Sequence, residues 1–316
     1  MSTPGAPTPP TSLLDAVDGR TKLAGSNRME LLLFSIGTPE VFAINVFKVR
    51  EVCKTPEITL TPNMPAGVDG VINLRGNIIP VLDVSFFLDR DRVARCSKST
   101  MMVTEYSRRT QGFLVDGVDR IVRVDWETVR APEGLMARND GLVTAITDLP
   151  DGQLVSILDV EQILATAFGE VPVPDLEPID TDPGTFLFFV DDSSVARREI
   201  GAVMDKLTVR TQLATNGNEA LNRLRALAAQ AERDGERLSE TLKVVLVDAE
   251  MPEMDGYVLT RHLKSDRRFA GIPVVMHSSL SSEANKAMGA AVGVDAYVAK
   301  FHPEILADTL RPLLSR

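Results

Sequence analysis

In the C-terminal part of this 316-residue chain, apolar runs of strand length alternate with segments that carry apolar residues at helical spacing. We predict strands at 186–190, 209–214, 243–247, 273–277 and 296–299. The predicted helices between and after them are 194–207, 218–233, 257–264, 282–292 and 303–314. Several of the strands are almost wholly apolar, which indicates a sheet that is covered on both faces. Five β–α repeats predict a doubly wound parallel sheet.

The N-terminal part has a different pattern, in which short strand-like runs are separated by turn residues at close intervals. These runs are 30–36, 41–44, 78–82, 100–105, 111–115, 121–124 and 154–158. Such spacing favours a small antiparallel barrel, or a pair of barrels, over a βαβ sheet. A short helix is also predicted around 13–23, within a flexible head.

An acidic, proline-rich stretch separates the two patterns. From Gly169 to Gly184 it carries five acidic residues, four prolines and no basic residue. Because proline sets extended geometry and like charges repel, we expect a semi-stiff, exposed connector. The predicted organisation is a head over 1–28, a mostly-β domain over 29–169, a linker over 170–184 and an α/β domain over 185–316.

Composition and charge narrow the classes of function. Hydrophobic residues at 44% and charged residues at 25% are typical of a folded globular protein. No apolar run approaches the roughly 20 residues of a membrane span, and the net charge of −10 argues against nucleic acid as a partner. The start of the chain does not resemble a secretory signal, and Cys53 and Cys96 form no CxxC pair. We therefore expect a cytoplasmic protein without structural zinc.

Polar side chains follow four of the five predicted strands of the α/β domain. Asp191 and Asp192 follow the first strand, Asp248 the third, Ser278 the fourth and Lys300 the fifth. In a parallel sheet these strand ends share one edge, which is where ligands bind. Crowded carboxylates repel one another unless a cation lies among them, and hard oxygen ligands suit Mg²⁺. We predict a magnesium site at which Asp248 attacks a phosphoryl group and Lys300 neutralises the phosphoryl oxygens.

Four stretches of this domain resemble the receiver domain of bacterial response regulators, particularly the chemotaxis type. In chain order they are FFVDDSSVARR, VVLVDAEMPEMDGY, IPVVMHSS and DAYVAKF. The resemblance implies that Asp248 is the phosphoacceptor and that Asp191 and Asp192 hold Mg²⁺ directly or through water. It also implies that the backbone carbonyl of Glu250 completes the protein's share of the metal shell.

The same resemblance assigns the switch residues of the site. It makes Ser278 the hydroxyl that hydrogen-bonds the phosphoryl oxygen, Lys300 the lysine that pairs with it, and Tyr297 the aromatic residue whose rotamer follows the switch. The chain departs from the family pattern where Phe301, rather than proline, follows Lys300. It also has a carboxylate at Glu250, beside the path of attacking water, and we hypothesise that this side chain alters the lifetime of the phosphoryl group.

One run of the β-rich half, GVINLRGNIIPVLDV over 70–84, predicts a hairpin by itself because Gly70 and Gly76 allow tight turns. It closely resembles the signature of CheW-like coupling domains, as does VFAINVFKVREV over 41–52. The resemblance covers about 29–168 and implies two small five-stranded barrels that dock onto the chemotaxis histidine kinase CheA and onto chemoreceptor cytoplasmic tips. Arg75 falls at the arginine of that signature. We interpret it as a contact or orienting residue, and an exposed hairpin-tip charge is the alternative.

A coupling domain followed by a receiver is the order found in CheV-type chemotaxis proteins. This resemblance implies an adaptor rather than an enzyme, which links receptors to the kinase and takes phosphate from the kinase phosphohistidine onto Asp248. Recruitment to membrane-associated receptor arrays, without membrane insertion, is expected. A phosphate sink that drains the kinase without altering coupling is the alternative. A methylesterase is disfavoured because no GxSxG motif or equivalent triad appears, and a transcription factor because the chain is acidic and lacks a C-terminal helix-turn-helix.

Overall fold

The computed structural model describes residues 28–88, 99–106, 109–130, 141–169, 172–279, 283–300 and 302–315. The helix predicted around 13–23, Cys96 and Phe301 lie outside the described residues. Within the described ranges, no helix combines the length and the apolar character that crossing a bilayer requires.

The N-terminal domain contains two five-stranded sheets. The strands are β1 (Arg28–Ser35), β2 (Val41–Asn45), β3 (Val49–Lys54), β4 (Val68–Leu74), β5 (Asn77–Asp83), β6 (Thr100–Tyr106), β7 (Arg109–Val115), β8 (Gly117–Asp125), β9 (Val143–Asp148) and β10 (Leu154–Leu158). One sheet has the order β8-β1-β2-β10-β9 and the other β3-β6-β7-β5-β4. The mostly-β fold is therefore confirmed. The apolar pattern does not predict β3 or β9, and much of β3 is only partly buried.

Both faces of β1 are buried, which explains its nearly continuous apolar sequence. Leu31 and Leu33 point into the core of their own sheet, whereas Leu32 and Phe34 join a second core that lies between the two sheets. Helix α1 (Val84–Leu88) contributes to that second core. The two sheets are thus held together by one shared apolar layer.

Helix α2 (Val160–Phe168) closes the same core and is not predicted by the sequence pattern. It begins after Asp159, whose carboxylate accepts hydrogen bonds from the backbone N–H groups of Glu161 and Gln162 at 2.9 and 3.1 Å. This is a side-chain N-cap. The helix ends at Gly169, which has a positive φ of 78° that glycine adopts without strain. The cap places Glu161 and Gln162 at the end of α2 that faces the C-terminal domain.

The C-terminal domain has a five-stranded parallel sheet of order β12-β11-β13-β14-β15. The strands are β11 (Phe186–Val190), β12 (Thr211–Ala214), β13 (Leu242–Val247), β14 (Val274–Ser278) and β15 (Ala296–Ala299). The helices are α3 (Ser194–Leu207), α4 (Gly217–Asp234), α5 (Leu238–Thr241), α6 (Gly256–Ser265), α7 (Glu283–Val292) and α8 (Pro303–Leu314). The predicted doubly wound fold is confirmed, and the short α5 is an addition to the predicted helices.

Helices cover both faces of this sheet. From β11, Phe188 and Val190 pack into a core with α4 and α6, while Leu187 and Phe189 pack on the other face with α3 and α8. No residue of the strand can then be polar without the loss of buried apolar contact. The charged side chains Asp191, Asp192, Asp248 and Lys300 accordingly lie just beyond the strand ends.

The connector contacts the C-terminal domain at Ile179, where the expectation of an exposed connector is wrong, whereas Asp175, Glu177 and Asp180 around it are exposed. Ile179 is buried in the core beside α3 and α8, and its N–H donates to the carbonyl of Leu207 at 2.9 Å. Lys206 of α3 forms an ion pair with Asp175 at 2.6 Å. Apolar burial and a neighbouring cation offset the repulsion among the acidic residues of this segment.

Candidate functional site

Three carboxylates meet where β11 and β13 end. Asp191 and Asp192 come directly after β11, and Asp248 comes directly after β13. The backbone N–H of Asp248 donates to the carbonyl of Val190 at 3.0 Å, which holds the two strand ends side by side. Each of the three side chains offers a carboxylate oxygen within 4.8 Å of the others. The structure thus brings together the acidic residues that the strand ends singled out.

Lys300 lies between two of these carboxylates. Its Nζ is 2.8 Å from Oδ2 of Asp191 and 2.9 Å from Oδ2 of Asp248. The backbone N–H of Lys300 donates to the carbonyl of Ser278 at 2.9 Å, so that the ends of β14 and β15 are also joined. Lys300, Asp191 and Asp248 are buried, and Asp192 is half-buried. A buried ammonium group is stable here because it contacts two opposite charges.

The charges of the site shift the pKa values of its members. Burial, together with the neighbouring charge of Asp248, raises the pKa of Asp191 to about 7 against the lowering effect of Lys300. Burial and nearby carboxylates also raise the pKa of Asp192, and burial raises the pKa of Asp248. Burial alone would lower the pKa of Lys300, but Asp191 and Asp248 raise it well above its usual value. The carboxylates are thus crowded, which a bound cation would relieve.

Ser278 and Tyr297 lie on neighbouring strands beside Asp248. Ser278 is the last residue of β14 and is fully buried. The ring of Tyr297, on β15, packs against Ala249 and Tyr257. Burial raises the pKa of the Tyr297 hydroxyl, and the hydroxyls of Ser278 and Tyr257 lie close enough to influence it. The predicted switch pair is therefore adjacent in space.

The loop after Asp248 returns tightly to the start of α6. The N–H of Gly256 donates to the carbonyl of Ala249 at 3.0 Å, and a Cβ at Gly256 would lie 2.0 Å from the carbonyl oxygen of Asp248. Only glycine fits there. Asp255 caps α6 by accepting a hydrogen bond from the N–H of Val258 at 2.7 Å. The acceptor loop is thereby held in one short, closed path.

The donor set suits a small divalent cation. Mg²⁺ binds oxygen ligands at about 2.0–2.1 Å, so two oxygens on one ion lie up to about 4.2 Å apart. The carboxylate oxygens of Asp191, Asp192 and Asp248 lie within 4.8 Å of one another, which needs only a small adjustment to meet that limit. The residues present therefore fit the predicted ion. The metal role of the Glu250 carbonyl stays a prediction.

The N-terminal domain also contributes to this site, which the sequence analysis did not predict. The side-chain amide of Asn45, at the end of β2, donates a hydrogen bond to the carboxylate of Glu250. The Oδ1 of Asn45 accepts from the N–H of Phe47 at 3.0 Å, which orients the amide. The available sequence signal was a single asparagine in an otherwise apolar strand. In the structure Asn45 is buried, and buried amides need hydrogen-bond partners.

A charged pair of the N-terminal domain lies next to the acidic cluster. Nζ of Lys48 is 3.5 Å from Oε1 of Glu161, which is almost fully buried. Burial alone would lower the pKa of Lys48, but Glu161, Asp159 and Asp192 raise it. Burial acts to raise the pKa of Glu161, but Lys48 and Lys300 lower it to about 2. Glu161 is therefore ionised and lies within electrostatic reach of the Lys300 ammonium group.

Arg75 belongs to the N-terminal domain, where it lies in the turn between β4 and β5. It has a positive φ of 52°, and its Nη2 lies 2.5 Å from Oε2 of Glu51. The side chain of Arg75 is 77% exposed. The residue is thus an accessible charge at a hairpin tip, and its role as a contact stays a prediction.

Two family models match the chain, one on each domain. The CheW-like domain model matches residues 30–168, and the response regulator receiver domain model matches residues 187–311. The Helicobacter pylori chemotaxis protein CheV3 is 30% identical over 286 residues, which cover 87% of this chain and 89% of that protein. CheV1 of the same organism is 28% identical over 323 residues, which cover 95% and 98%.

A further relative matches less than half of this chain. The chemotaxis protein CheW of Klebsiella aerogenes is 30% identical over 148 residues, which cover 46% of this chain and 88% of that protein. The matches to CheV3 and CheV1 are long enough to extend over both domains of this chain. The chain, which joins a CheW-like domain to a receiver domain, therefore belongs to the CheV family of chemotaxis proteins.

Proposed function

We propose that this protein is an adaptor that couples chemoreceptors to the histidine kinase CheA, and that Mg²⁺-dependent phosphorylation of Asp248 modulates the coupling. The observation that carries the proposal is the placement of Asp248. Its carboxylate lies 2.9 Å from the ammonium group of Lys300 and next to two further buried or half-buried carboxylates. This is the set of charges that phosphoryl transfer to a carboxylate requires.

Asp191, Asp192 and Asp248 would hold the ion, with the backbone carbonyl of Glu250 as a fourth protein ligand. When bound, Mg²⁺ would neutralise negative charge on the phosphoryl oxygens. Lys300 would provide a second positive charge beside Asp248. Its short contact with Asp248 supports this role.

In the proposed transfer, a carboxylate oxygen of Asp248 attacks the phosphorus of the kinase phosphohistidine. The O–P bond forms as the P–N bond breaks, and the electron pair of the P–N bond returns to the imidazole nitrogen, which takes up a proton. The product is an acyl phosphate on Asp248. Lys300 stays beside the group throughout, so little reorganisation is needed as charge moves.

The phosphoryl group would be read by Ser278 and Tyr297. The Ser278 hydroxyl is a donor that can turn toward a phosphoryl oxygen, and Tyr297 lies beside it on the adjacent strand. A shift of Ser278 toward Asp248 would change the space available to the Tyr297 ring. A coupling of this kind needs only about 1–3 kcal/mol to change a binding affinity 5- to 150-fold.

The coupling domain would supply the contacts to kinase and receptor tips and would recruit the protein to receptor arrays. The β4–β5 hairpin supports this assignment because its tip carries the exposed Arg75. On the same hairpin Ile78 is 74% exposed, which is unusual for an apolar side chain in a strand. We propose Arg75 as a partner-binding residue.

The test is transfer from a phosphorylated chemotaxis kinase, in the presence of Mg²⁺, to the native protein and to Asp248→Asn. The substitution keeps the shape of the side chain and removes its nucleophile. We expect complete loss of labelling, with no loss in the matched control Asp205→Asn, an exposed residue of α3. Labelling of Asp248→Asn at the native level would refute the proposed acceptor.

Receptor-dependent kinase activity, measured with the same variants, separates the adaptor from the phosphate sink. An adaptor under phosphorylation control requires that Asp248→Asn change the kinase activity that receptors evoke. If Asp248→Asn slows the loss of kinase phosphate and leaves receptor-dependent activation unchanged, the protein is a sink.

A further inference from the structure

The edge of the receiver that carries Asp248 is covered by the coupling domain. Asp248 is only 4% exposed and Lys300 5%, although a phosphodonor has to reach Asp248 from this edge. The cover consists of the end of β2 with Asn45, the following turn with Lys48, and the start of α2. The phosphoacceptor is therefore enclosed by residues of its own chain.

Specific hydrogen bonds hold this cover in place. Asn45 donates to Glu250, two residues after the acceptor. The side-chain carbonyl of Gln162, in α2, accepts from the hydroxyl of Ser194 at 3.1 Å and from the guanidinium group of Arg198 at 3.3 Å, both in α3. These bonds join positions 32 to 205 residues apart in the chain. They mark a defined docking surface rather than a nonspecific contact.

The cover brings charges of both signs to the site: the Lys48 ammonium acts on Asp192 and Glu250, and the Glu161 carboxylate acts on the residues around Asp248. Glu161 is buried at the interface, and its charge acts on Asp191, Asp248 and Lys300. Phosphorylation would replace the single negative charge of Asp248 by about two. The added charge would face the carboxylates of Glu161 and Glu250, and like charges at close range in a dry site repel strongly. The closed arrangement therefore suits the unphosphorylated protein.

We propose that the coupling domain of the same chain is the partner that docks on the acidic edge of the receiver, that it competes there with the phosphodonor, and that phosphorylation of Asp248 releases it. The inference rests on the proposed function, because it presupposes that Asp248 accepts phosphate. Release of the docked domain would link phosphorylation in the pocket to a change in the coupling domain. The surface freed by release includes the end of β2 and the start of α2.

The first test is the substitution Asn45→Asp in the full-length protein. An aspartate keeps the carbonyl oxygen that accepts from Phe47 but replaces the amide donor by a carboxylate that repels Glu250. We expect the initial rate of Asp248 labelling by the phosphorylated kinase to rise about tenfold, because a hydrogen bond to a charged group is lost. The matched control is Asn222→Asp, which makes the same change at an exposed position of α4.

If Asn45→Asp folds poorly, the variant Gln162→Ala and a cross-linking measurement test the same docking. Gln162→Ala removes the bonds to α3 and retains a strong helix former in α2. We expect it to raise the labelling rate as well. For the cross-linking measurement, Gln162→Cys and Ser194→Cys are combined in a chain in which both native cysteines are serine, and the pair is joined by a short bismaleimide.

Cross-linking should be efficient in the absence of phosphate and should fall several-fold in Mg²⁺ and beryllofluoride. The cross-linked chain should be labelled more slowly by the kinase than the uncross-linked chain. Equal labelling rates in native protein, Asn45→Asp, Gln162→Ala and cross-linked chain would overturn the competition while leaving the proposed function intact. Absence of label from every variant, the native protein included, would overturn both.

Discussion

The pocket around Asp248 has a floor and a roof of different origin. The floor consists of Asp191, Asp248 and Lys300, which follow three strands of one parallel sheet and are joined by contacts of 2.8 and 2.9 Å. The roof consists of Asn45 and Glu161 from the coupling domain, where the ion pair with Lys48 spans 3.5 Å. Floor residues are positioned by strands that the receiver itself holds together.

The floor and the roof differ in how firmly they are held together. The floor contains opposite charges in direct contact, so removal of one of these charges should destabilise the protein even when no ligand is bound. The roof meets the receiver through a few hydrogen bonds and through charges of both signs, since Glu161 attracts Lys300 and repels Asp191 and Asp248. It can therefore separate from the floor at moderate cost. A site with a rigid floor and a removable roof can carry out one reaction and report on its completion.

The largest effect should come from the floor. In Lys300→Met the carboxylates of Asp191 and Asp248 lose the cation between them, and we expect the free energy of unfolding to fall by about 3 kcal/mol in EDTA. Mg²⁺ should restore much of the loss because it supplies positive charge to the same carboxylates. The measurement is urea unfolding with EDTA and with Mg²⁺.

Lys206→Met is the control for that experiment. Lys206 pairs with the fully exposed Asp175, and such a pair contributes little to stability because water screens it. Similar losses in the two variants would contradict the distinction between a buried floor pair and a surface pair.

Next in size is the pH dependence that His277, beneath the floor on β14, should produce. Burial lowers the pKa of His277 to about 3, and the charge of Lys300 acts in the same direction. In the unfolded chain the imidazole of His277 is protonated near pH 6.5, whereas in the folded protein it stays neutral until about pH 3. The free energy of unfolding therefore falls as the pH decreases from about 6.5 toward 3. Between pH 6.5 and 4.5 the native protein should lose about 2 kcal/mol more than His277→Gln.

The comparison with His277→Gln isolates this contribution, because the carboxylate titrations are common to both proteins. The same substitution at His262, exposed in α6, serves as control. Parallel stability curves for native protein and His277→Gln over this range would contradict the assignment of a neutral, buried His277.

A smaller effect is expected where roof and floor meet. Once Asn45 has separated from it, the Glu250 carboxylate can accept a proton from water that attacks the acyl phosphate. Glu250→Ala should then slow the decay of phosphorylated protein about threefold, measured by loss of label after removal of the kinase. Glu304→Ala, at an exposed position of α8, is the control, and equal decay in native protein and Glu250→Ala would dispose of the hypothesis.

The smallest effect on stability should lie outside the pocket. Arg75→Ala breaks an exposed ion pair with Glu51, and we expect less than about 1 kcal/mol of destabilisation. Binding to the kinase or to receptor tips should nevertheless weaken. Arg120→Ala, which also removes an exposed arginine from an ion pair of the coupling domain, is the control. Equal binding by both variants would leave Arg75 as a solvated hairpin charge.

The strands and the floor residues could be predicted from local sequence, because the position of each depends on residues that are close to it in the chain. An apolar run such as Phe186–Val190 is long enough for one buried strand, and the first polar residue after it, Asp191, has to lie at the sheet edge. Parallel strands end at one edge, so Asp191, Asp248 and Lys300 converge without further information. Gly256 reinforces this arrangement, since it allows the acceptor loop to close.

Short elements with mixed polarity were less predictable. Helix α2 has only nine residues, and its polar Glu161 is buried rather than exposed to solvent. A periodicity argument assumes that polar residues face water, so it fails at Glu161. The prediction of an exposed connector failed at Ile179 for a related reason. The acidic residues around Ile179 gave no indication that its side chain packs against α3 and α8.

By itself, the sequence determined the two fold classes, the order of the domains and the convergence of the acidic residues with Lys300, since local periodicity and strand polarity encode all of these. Only the tertiary structure decided that Asn45 meets Glu250 across 205 residues and that Glu161 faces the floor of the pocket. The energy of such contacts depends on distance and burial between surfaces that are remote in the chain, and no local pattern of residues records either quantity.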